Sequence, residues 1–427
     1  VVRDEIGMKV PTHQNNCLKN VYWTYLSSEG GSYTAINTYH AHPSSYSLGA
    51  EVSQKSSIAN AGNYWRGSVV KKVAGMPITV TEYQHCYFNK YIHEAGVLFP
   101  AYSAFQGYDS LVAFDSPVAL KAGRFGFFRI GTNPVFRAND FLTFFLFYRG
   151  DVKQSPHRVD VVYDRDFFEK SRYTAYAVND EQSRIALMTG FALSFPSGRK
   201  LDEVKAVQIK PADLSMPPAG ASEVEADLNF ANVGKAFGSN FKAGDIIADL
   251  KKRGILPQDN TSDPANGVFQ TDTGEITMDV KKRRLSVITP KSVAAVLNAS
   301  EGAKLGAFEV KSMSLDSAVA LVSLDDKPLD KSDRMVLVVS TDALPSGVGL
   351  SCSRKKLTAW GKPSIILQTG KLSAELKVEA GKKFALYPLK LTGERLAEIP
   401  CENVDGVLKI ELDTSKYPAV FFELQAK

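Results

Sequence analysis

Pro77-Ile78-Thr79-Val80-Thr81-Glu82-Tyr83 is the stretch on which the fold turns. Its β-branched run favours an extended segment, and the segment ends on a carboxylate followed by Gln84, His85, Tyr87 and Asn89. Three other apolar runs end in the same way. Lys9-Val10-Pro11-Thr12 leads into His13-Gln14-Asn15-Asn16, residues 33–38 lead into Tyr39-His40-Ala41-His42-Pro43, and Leu111-Val112-Ala113-Phe114 leads into Asp115-Ser116-Pro117. Helical candidates lie between them at 64–74, 91–106 and 138–148; the first closes on Gly75 and the last is followed by Gly150. Strands alternating with helices predict a parallel sheet wrapped by helices. Polar residues at the C-terminal end of every strand predict a βα barrel, whose site is built from those ends. A doubly wound sheet would gather them at a single crevice.

Further along, the pattern weakens and then changes. A strand-like run at 158–163, a mixed helical stretch at 180–189 and a Pro- and Ala-rich connection at 211–221 give no clear unit. From Val268 onward short alternating runs recur at 274–279, 285–288, 335–340, 364–368 and 407–412, punctuated by Gly, Asp and Pro, which predicts an antiparallel β-sandwich. The expected fold class is therefore α/β plus all-β. It comprises the C-terminal half of a (β/α)8 TIM barrel over 1–155 (strands five to eight), a connecting region over 156–265, and a β-sandwich accessory region over 266–427.

At 427 residues, 44% hydrophobic and 23% charged, the chain is long enough for two or three units and has the composition of a folded protein. A net charge of +5, with basic clusters only at 251–253, 281–284 and 354–356, is too dispersed for a nucleic-acid binder. These clusters read as solvated surface, with recognition of an anionic, sulfated polymer as the alternative. No apolar run approaches the ~18–20 residues of a membrane span. Cys17, Cys86, Cys352 and Cys401 lack CxxC spacing, which removes a zinc ribbon and leaves pairing or reduction open. No metal or organic cofactor is expected, and no phosphate loop, HExxH helix or nucleophilic serine elbow is present.

A carboxylate at the end of a buried strand can serve as a salt-bridge partner or as a nucleophile. Retaining glycosidases set two such groups about 5–5.5 Å apart, one to attack the anomeric carbon and one to protonate the leaving oxygen. Tyr39, His40 and His42 put three polar rings within four residues of one strand end, which suits a site lining. Asn15, His13, His85 and Asp115 are further candidates at strand ends, and Tyr22, Trp23 and Trp65 could stack on sugar rings or pack the core.

The ordered series 37–43, 81–85 with Asn89, 101–109 and Arg149-Gly150-Asp151-Val152 resembles the second half of the barrel in bacterial clan A glycoside hydrolases. The likeness is to multidomain members such as β-galactosidases, β-agarases and related marine-polysaccharide enzymes. It extends through Asp272-Thr273-Gly274-Glu275, Thr289-Pro290, Ser323-Leu324-Asp325 with Pro328 and Ser332, and Trp360-Gly361-Lys362-Pro363, leaving out only about 160 to 265.

The resemblance implies that Glu82, ending the seventh strand, is the nucleophile, with Asn15, Tyr39, His40, His42, His85 and Asp115 around the substrate. The clan's acid/base Glu ends the fourth strand after an Asn, and this chain contains no Asn-Glu pair. A barrel takes about 250 residues, so an N-terminal half-barrel is expected as an upstream segment or separate chain. The family usually carries an aromatic platform after the eighth strand, where this chain offers Phe114. The implied activity is retaining hydrolysis of a β-linked, galactose-containing or marine-type oligo- or polysaccharide, with a secreted, periplasmic or cell-surface location implied by that substrate. A non-catalytic carbohydrate-binding scaffold and a polysaccharide lyase using Tyr39 and His40 are the rival readings.

Overall fold

Three parallel strands form the first sheet, with residues 78–83 in the central one. In the computed structural model, which describes residues 5–14, 16–17, 21–116, 126–163, 180–195, 205–209 and 243–427, these are β1 (Thr34–His40), β2 (Ile78–His85) and β3 (Ser110–Ala113), ordered β1-β2-β3. The register sets Thr34 opposite Ile78 and His40 opposite His85, with Thr81 as an extra residue in β2. That bulge reverses the alternation. Ile78 and Val80 are buried before it, Tyr83 and His85 after it, and Glu82 is left half-exposed. Thr81 Oγ1 fastens the bulge by donating to Asn37 Oδ1 at 2.6 Å.

The strand expected at 9–12 does not form. Residues 7–13 have no regular structure, and Val10 is exposed. The segment still follows β1, because Ser32 N donates to Thr12 O and Asn37 N to Asn16 O, each at 2.6 Å. Pro11 has no N–H for a ladder, and the exposed Lys9 and Val10 gain no apolar burial to hold them extended. Half of a TIM barrel is thus not shown; the observed unit is a three-stranded parallel sheet.

The helices are shorter than their patterns suggested. Residues 64–74 split into α2 (Asn63–Arg66) and a 3-10 turn at Val69–Lys71, after a first helix, α1 (Val21–Gly30), for which the sequence reading had no element. The 91–106 stretch becomes a 3-10 turn and α3 (Ala95–Phe105), and 138–148 becomes α4 (Pro134–Thr143) running into a π turn at Phe144–Tyr148. Asn133 caps α4 through its side chain to Val135 N at 2.9 Å, with Pro134 in the first turn.

The connecting region is itself ordered in part: β4 (His157–Val162), β5 (Gly190–Ser194) and β6 (Lys205–Ile209) form a second parallel sheet, ordered β5-β4-β6. Its β5 joins the first unit where Leu193 N donates to Lys72 O and Ala74 N to Leu193 O. The connection expected at 211–221 lies outside the described residues.

The C-terminal region is sandwich-like and antiparallel, as expected. One sheet of nine strands contains β7 (Val268–Gln270), β8 (Ile276–Asp279), β9 (Arg284–Ile288), β10 (Ser292–Leu297), β13 (Ser317–Ser323), β14 (Arg334–Ser340), β18 (Phe384–Leu389), β19 (Ile399–Pro400) and β22 (Phe421–Ala426). A sheet of five contains β11 (Glu301–Leu305), β12 (Phe308–Met313), β17 (Lys371–Lys377), β20 (Glu402–Val404) and β21 (Val407–Asp413), and β15 (Ala343–Leu350) pairs with β16 (Leu357–Leu367) as a separate hairpin.

The large sheet is buried on both faces. In β10, Val293, Ala295 and Leu297 pack toward the five-stranded sheet, while Ala294 and Val296 join the core of the parallel units; β13 divides in the same way. Period-two alternation thus feeds two cores from one strand, at about 1.5–3 kcal/mol for each fully buried large aliphatic side chain. Arg149 bridges the units, donating to Asp151 and to Ser323 O at 2.6 Å, while Ser292 Oγ donates to Asp151 Oδ2 at 2.5 Å.

Candidate active site

Glu82 is met from the neighbouring strand by Tyr39, whose hydroxyl donates to Oε2 at 2.5 Å. Burial pushes the Tyr39 phenol above its ordinary range, and the hydrogen bond to Glu82 and its charge push it further. Tyr39 is therefore a fixed donor to the carboxylate. Its ring also begins an aromatic wall over the strand ends, with centroids 5.4 Å from His42, 5.3 Å from Phe128 and 6.2 Å from Phe114. Phe114 and Phe128 stand edge to face at 5.4 Å, and Tyr46 extends the wall by packing on Phe128 at 6.1 Å. Tyr46 Oη and His42 Nε2 are 3.3 Å apart, and Tyr46 is 66% exposed.

Phe128 was absent from the sequence reading. It belongs to a segment without regular structure, held where Asp115 N donates to Phe128 O and Tyr87 N to Phe127 O, each at 2.9 Å. Those bonds are long-range, and no periodicity in Gly126-Phe127-Phe128 announces them.

Two expected wall residues are floor residues instead. His40 is buried, its Nε2 donates to Lys55 O at 2.9 Å, and burial lowers its pKa to about 4. His85 is fully buried 4.2 Å from the His40 ring; burial first, and then His40, hold it well below the ordinary imidazole range. Both are neutral supports beneath the wall, so the expectation of sugar contacts from them is corrected. His85 faces inward because the bulge reversed the alternation of β2. Asn89 braces the loops by donating to Ser53 O at 2.6 Å and Lys55 O at 3.0 Å.

Asp115 stands half-exposed at the end of β3, and its Oδ1 is buried without a hydrogen-bond partner. His42 is exposed at the wall. Asn15 lies outside the described residues, and His13 packs on Tyr33 at 5.0 Å. Trp65 is core, its indole donating to Ser103 Oγ at 3.1 Å, whereas Trp23 is 40% exposed on α1. The structure therefore brings together Glu82, Tyr39 and His42 with Phe114 and Phe128, and places Asp115 beside Phe114.

No family model matches the chain. No curated protein matches it either. The chemistry has to be read from the residues themselves.

Two clefts lie elsewhere, one of about 450 Å3 lined by Lys72, Gln154, Ser155 and His157, the other of about 720 Å3 between the β15–β16 hairpin and the sandwich. Glu82 lines neither, and sits on an open platform. Among the described residues no cluster of His, Cys, Asp and Glu could hold a metal ion, and Cys86, Cys352 and Cys401 form no disulfide. No helix among them is long and apolar enough to cross a membrane. The platform supplies a carboxylate in the C-terminal half of β2, a neutral phenol directed at it and flat apolar rings beside it. That set can bind a pyranose face by stacking and present a carboxylate to its anomeric carbon.

Proposed function

We propose that this chain carries the nucleophile half of a retaining glycoside hydrolase acting on a β-linked oligo- or polysaccharide of galactose-containing or marine type. The observation that carries the reading is Glu82 in the C-terminal half of the parallel strand β2, held by Tyr39 and flanked by the Tyr39, His42, Phe114, Phe128 and Tyr46 wall. Glu82 attacks the anomeric carbon to form a glycosyl-enzyme ester, and water later resolves it with net retention. Tyr39 holds the attacking carboxylate in one orientation, a charge-assisted bond worth about 1.5–3 kcal/mol. The acid/base carboxylate in this reading comes from polypeptide that pairs along the β3 edge and beyond the 12–16 segment that lies against β1, and completes a (β/α)8 barrel. The open platform around Glu82 fits a wall shared with such a segment.

The lyase reading fares worse, because it asks Tyr39 to act as a base. Burial and Glu82 both hold that phenol protonated.

Incubation of the complete enzyme with an activated 2-deoxy-2-fluoro glycoside, followed by peptide mass analysis, is expected to place the label on Glu82. Glu82→Gln is expected to abolish turnover while glycan binding remains. Full turnover by that variant would leave the chain a glycan-binding scaffold and overturn the assignment.

A further inference from the structure

The β15–β16 hairpin leaves the sandwich and crosses the loop that follows β1. Gly49 N donates to Leu357 O at 2.8 Å, Leu357 N to Ala50 O at 2.9 Å and Val52 N to Lys355 O at 2.8 Å. Glu51 and Lys356 face each other across this short antiparallel ladder. Ala50, Val52 and Leu357 are buried beneath it in a cluster that also holds Phe127. Arg354 anchors the tip by donating to Phe88 O at 3.0 Å and pairing with Asp342. The hairpin tip is therefore a fixed part of the same surface as the aromatic wall.

What the tip presents is positive charge. Lys355 and Lys356 are exposed, and neither forms an ion pair among the described residues. Glu51 is the one acidic residue between 41 and 57, and it stands opposite Lys356 without an ion pair. A β-carbon at Gly49 would lie 3.7 Å from Lys356 Cε. Gly49 is three residues from Tyr46, a span of at most about 11 Å of extended chain. Tyr46 and Leu48, between wall and tip, are 66% and 55% exposed. A continuous strip thus runs from the carboxylate, over stacking rings, to two free ammonium groups.

We propose that Lys355 and Lys356 form a subsite for an acidic sugar unit, a sulfate ester or a uronate carboxylate, on a glycan whose neighbouring ring stacks at Tyr46. The assignment rests on the glycan-binding part of the reading above. It is independent of whether Glu82 is a nucleophile. Two ammonium groups without ion pairs act within about one Debye length, some 8 Å at physiological salt, so they select among sugar units close to the wall.

The test is calorimetric binding by the whole chain of four probes: a neutral galactan oligosaccharide, the same backbone bearing sulfate esters, an oligogalacturonate and a short DNA duplex. The expected result is tighter binding of one acidic glycan than of the neutral one, an advantage that shrinks with added salt, and the favoured probe identifies sulfate or carboxylate as the ligand. Lys355→Ala with Lys356→Ala is expected to weaken the acidic glycan by up to about fivefold per lysine and to leave the neutral one unchanged. Tyr46→Ala is expected to weaken both.

Equal affinity for neutral and acidic glycans, no effect of the double variant, or no glycan binding at all overturns the subsite. So does a DNA duplex bound as tightly as the glycan and indifferent to Tyr46→Ala, which would mark a general polyanion surface. Failure of Glu82 labelling with lysine-dependent binding intact removes the hydrolase reading alone.

Discussion

Replacing His40 with glutamine should make the protein less sensitive to acid. Burial holds the folded His40 near pKa 4, against about 6.5 in the unfolded chain. Above pH 6.5 both states are neutral and His40 contributes no pH dependence. As pH falls from 6.5 toward 4, only the unfolded state takes up the proton, so stability is lost across that window; below 4 both states are charged and the loss stops growing. A difference of about 2.5 units corresponds to about 3 kcal/mol. His93, lowered to about 4 by burial and then by Arg283, adds a similar loss over the same range. Together they reach about 6 kcal/mol, comparable with the whole stability of many domains.

Glu94 works in the opposite direction, because burial raises its pKa, so the wild-type curve alone is a mixture. The difference between wild type and His40→Gln removes the contributions of Glu94 and His93 and leaves that of His40 with its effect on the adjoining His85, and glutamine can keep the donation to Lys55 O. Urea unfolding from pH 7.5 to 4.3, followed through tryptophan fluorescence with Trp65 buried in this core, should show the variant losing about 3 kcal/mol less than wild type. Parallel losses would mean that His40 is hydrated in the folded state and would return it to the substrate wall.

Two further predictions probe the joints and the open sheet edge. Asp151→Ala takes the carboxylate from Arg149, which keeps Ser323 O; a loss of about 1.5–3 kcal/mol is expected, with an earlier, separate transition in calorimetry, and an unchanged trace would show that the clasp does not couple the units. Val112→Lys on the exposed face of β3 should leave this chain's melting within about 0.5 kcal/mol, because lysine suits a free edge. In the completed enzyme the same change should lower turnover by obstructing strand pairing, and full turnover there would argue that nothing docks on that edge.

Local chemistry made the first half of β2 legible, because the β-branched run 78–81 needed no tertiary knowledge; the strand itself runs three residues past Glu82, to His85. The sandwich was legible for the same reason, since alternation at 285–288 and 335–340 is a property of each strand alone. The bulge at Thr81 was not, because an extra residue appears only when two strands are laid side by side. That one residue decides which side chains of β2 reach the surface, and β2 runs on to His85, which the sequence placed in the loop after the strand. The strand expected at 9–12 failed for a complementary reason: its composition suits a strand, but no apolar surface covers it. Phe128 was hidden because long-range backbone bonds to residues 87 and 115 place it.

The motifs that suggested a family turn out to be largely joints. Asp151 accepts from Arg149 and Ser292, Asp272 accepts from Ser155 and Thr189, and Glu275 accepts from Lys153 N, so each ties the parallel units to the sandwich. Trp360 packs on Phe127 at 5.1 Å, next to the residue that completes the wall. The loop bearing Tyr46 is held by the hairpin, which itself grows from the sandwich. The wall over Glu82 is therefore built jointly by both ends of the chain. Removing the sandwich would leave Glu82 and Tyr39 paired on their strands but release Phe128 and Tyr46 from the supports that hold them beside the carboxylate.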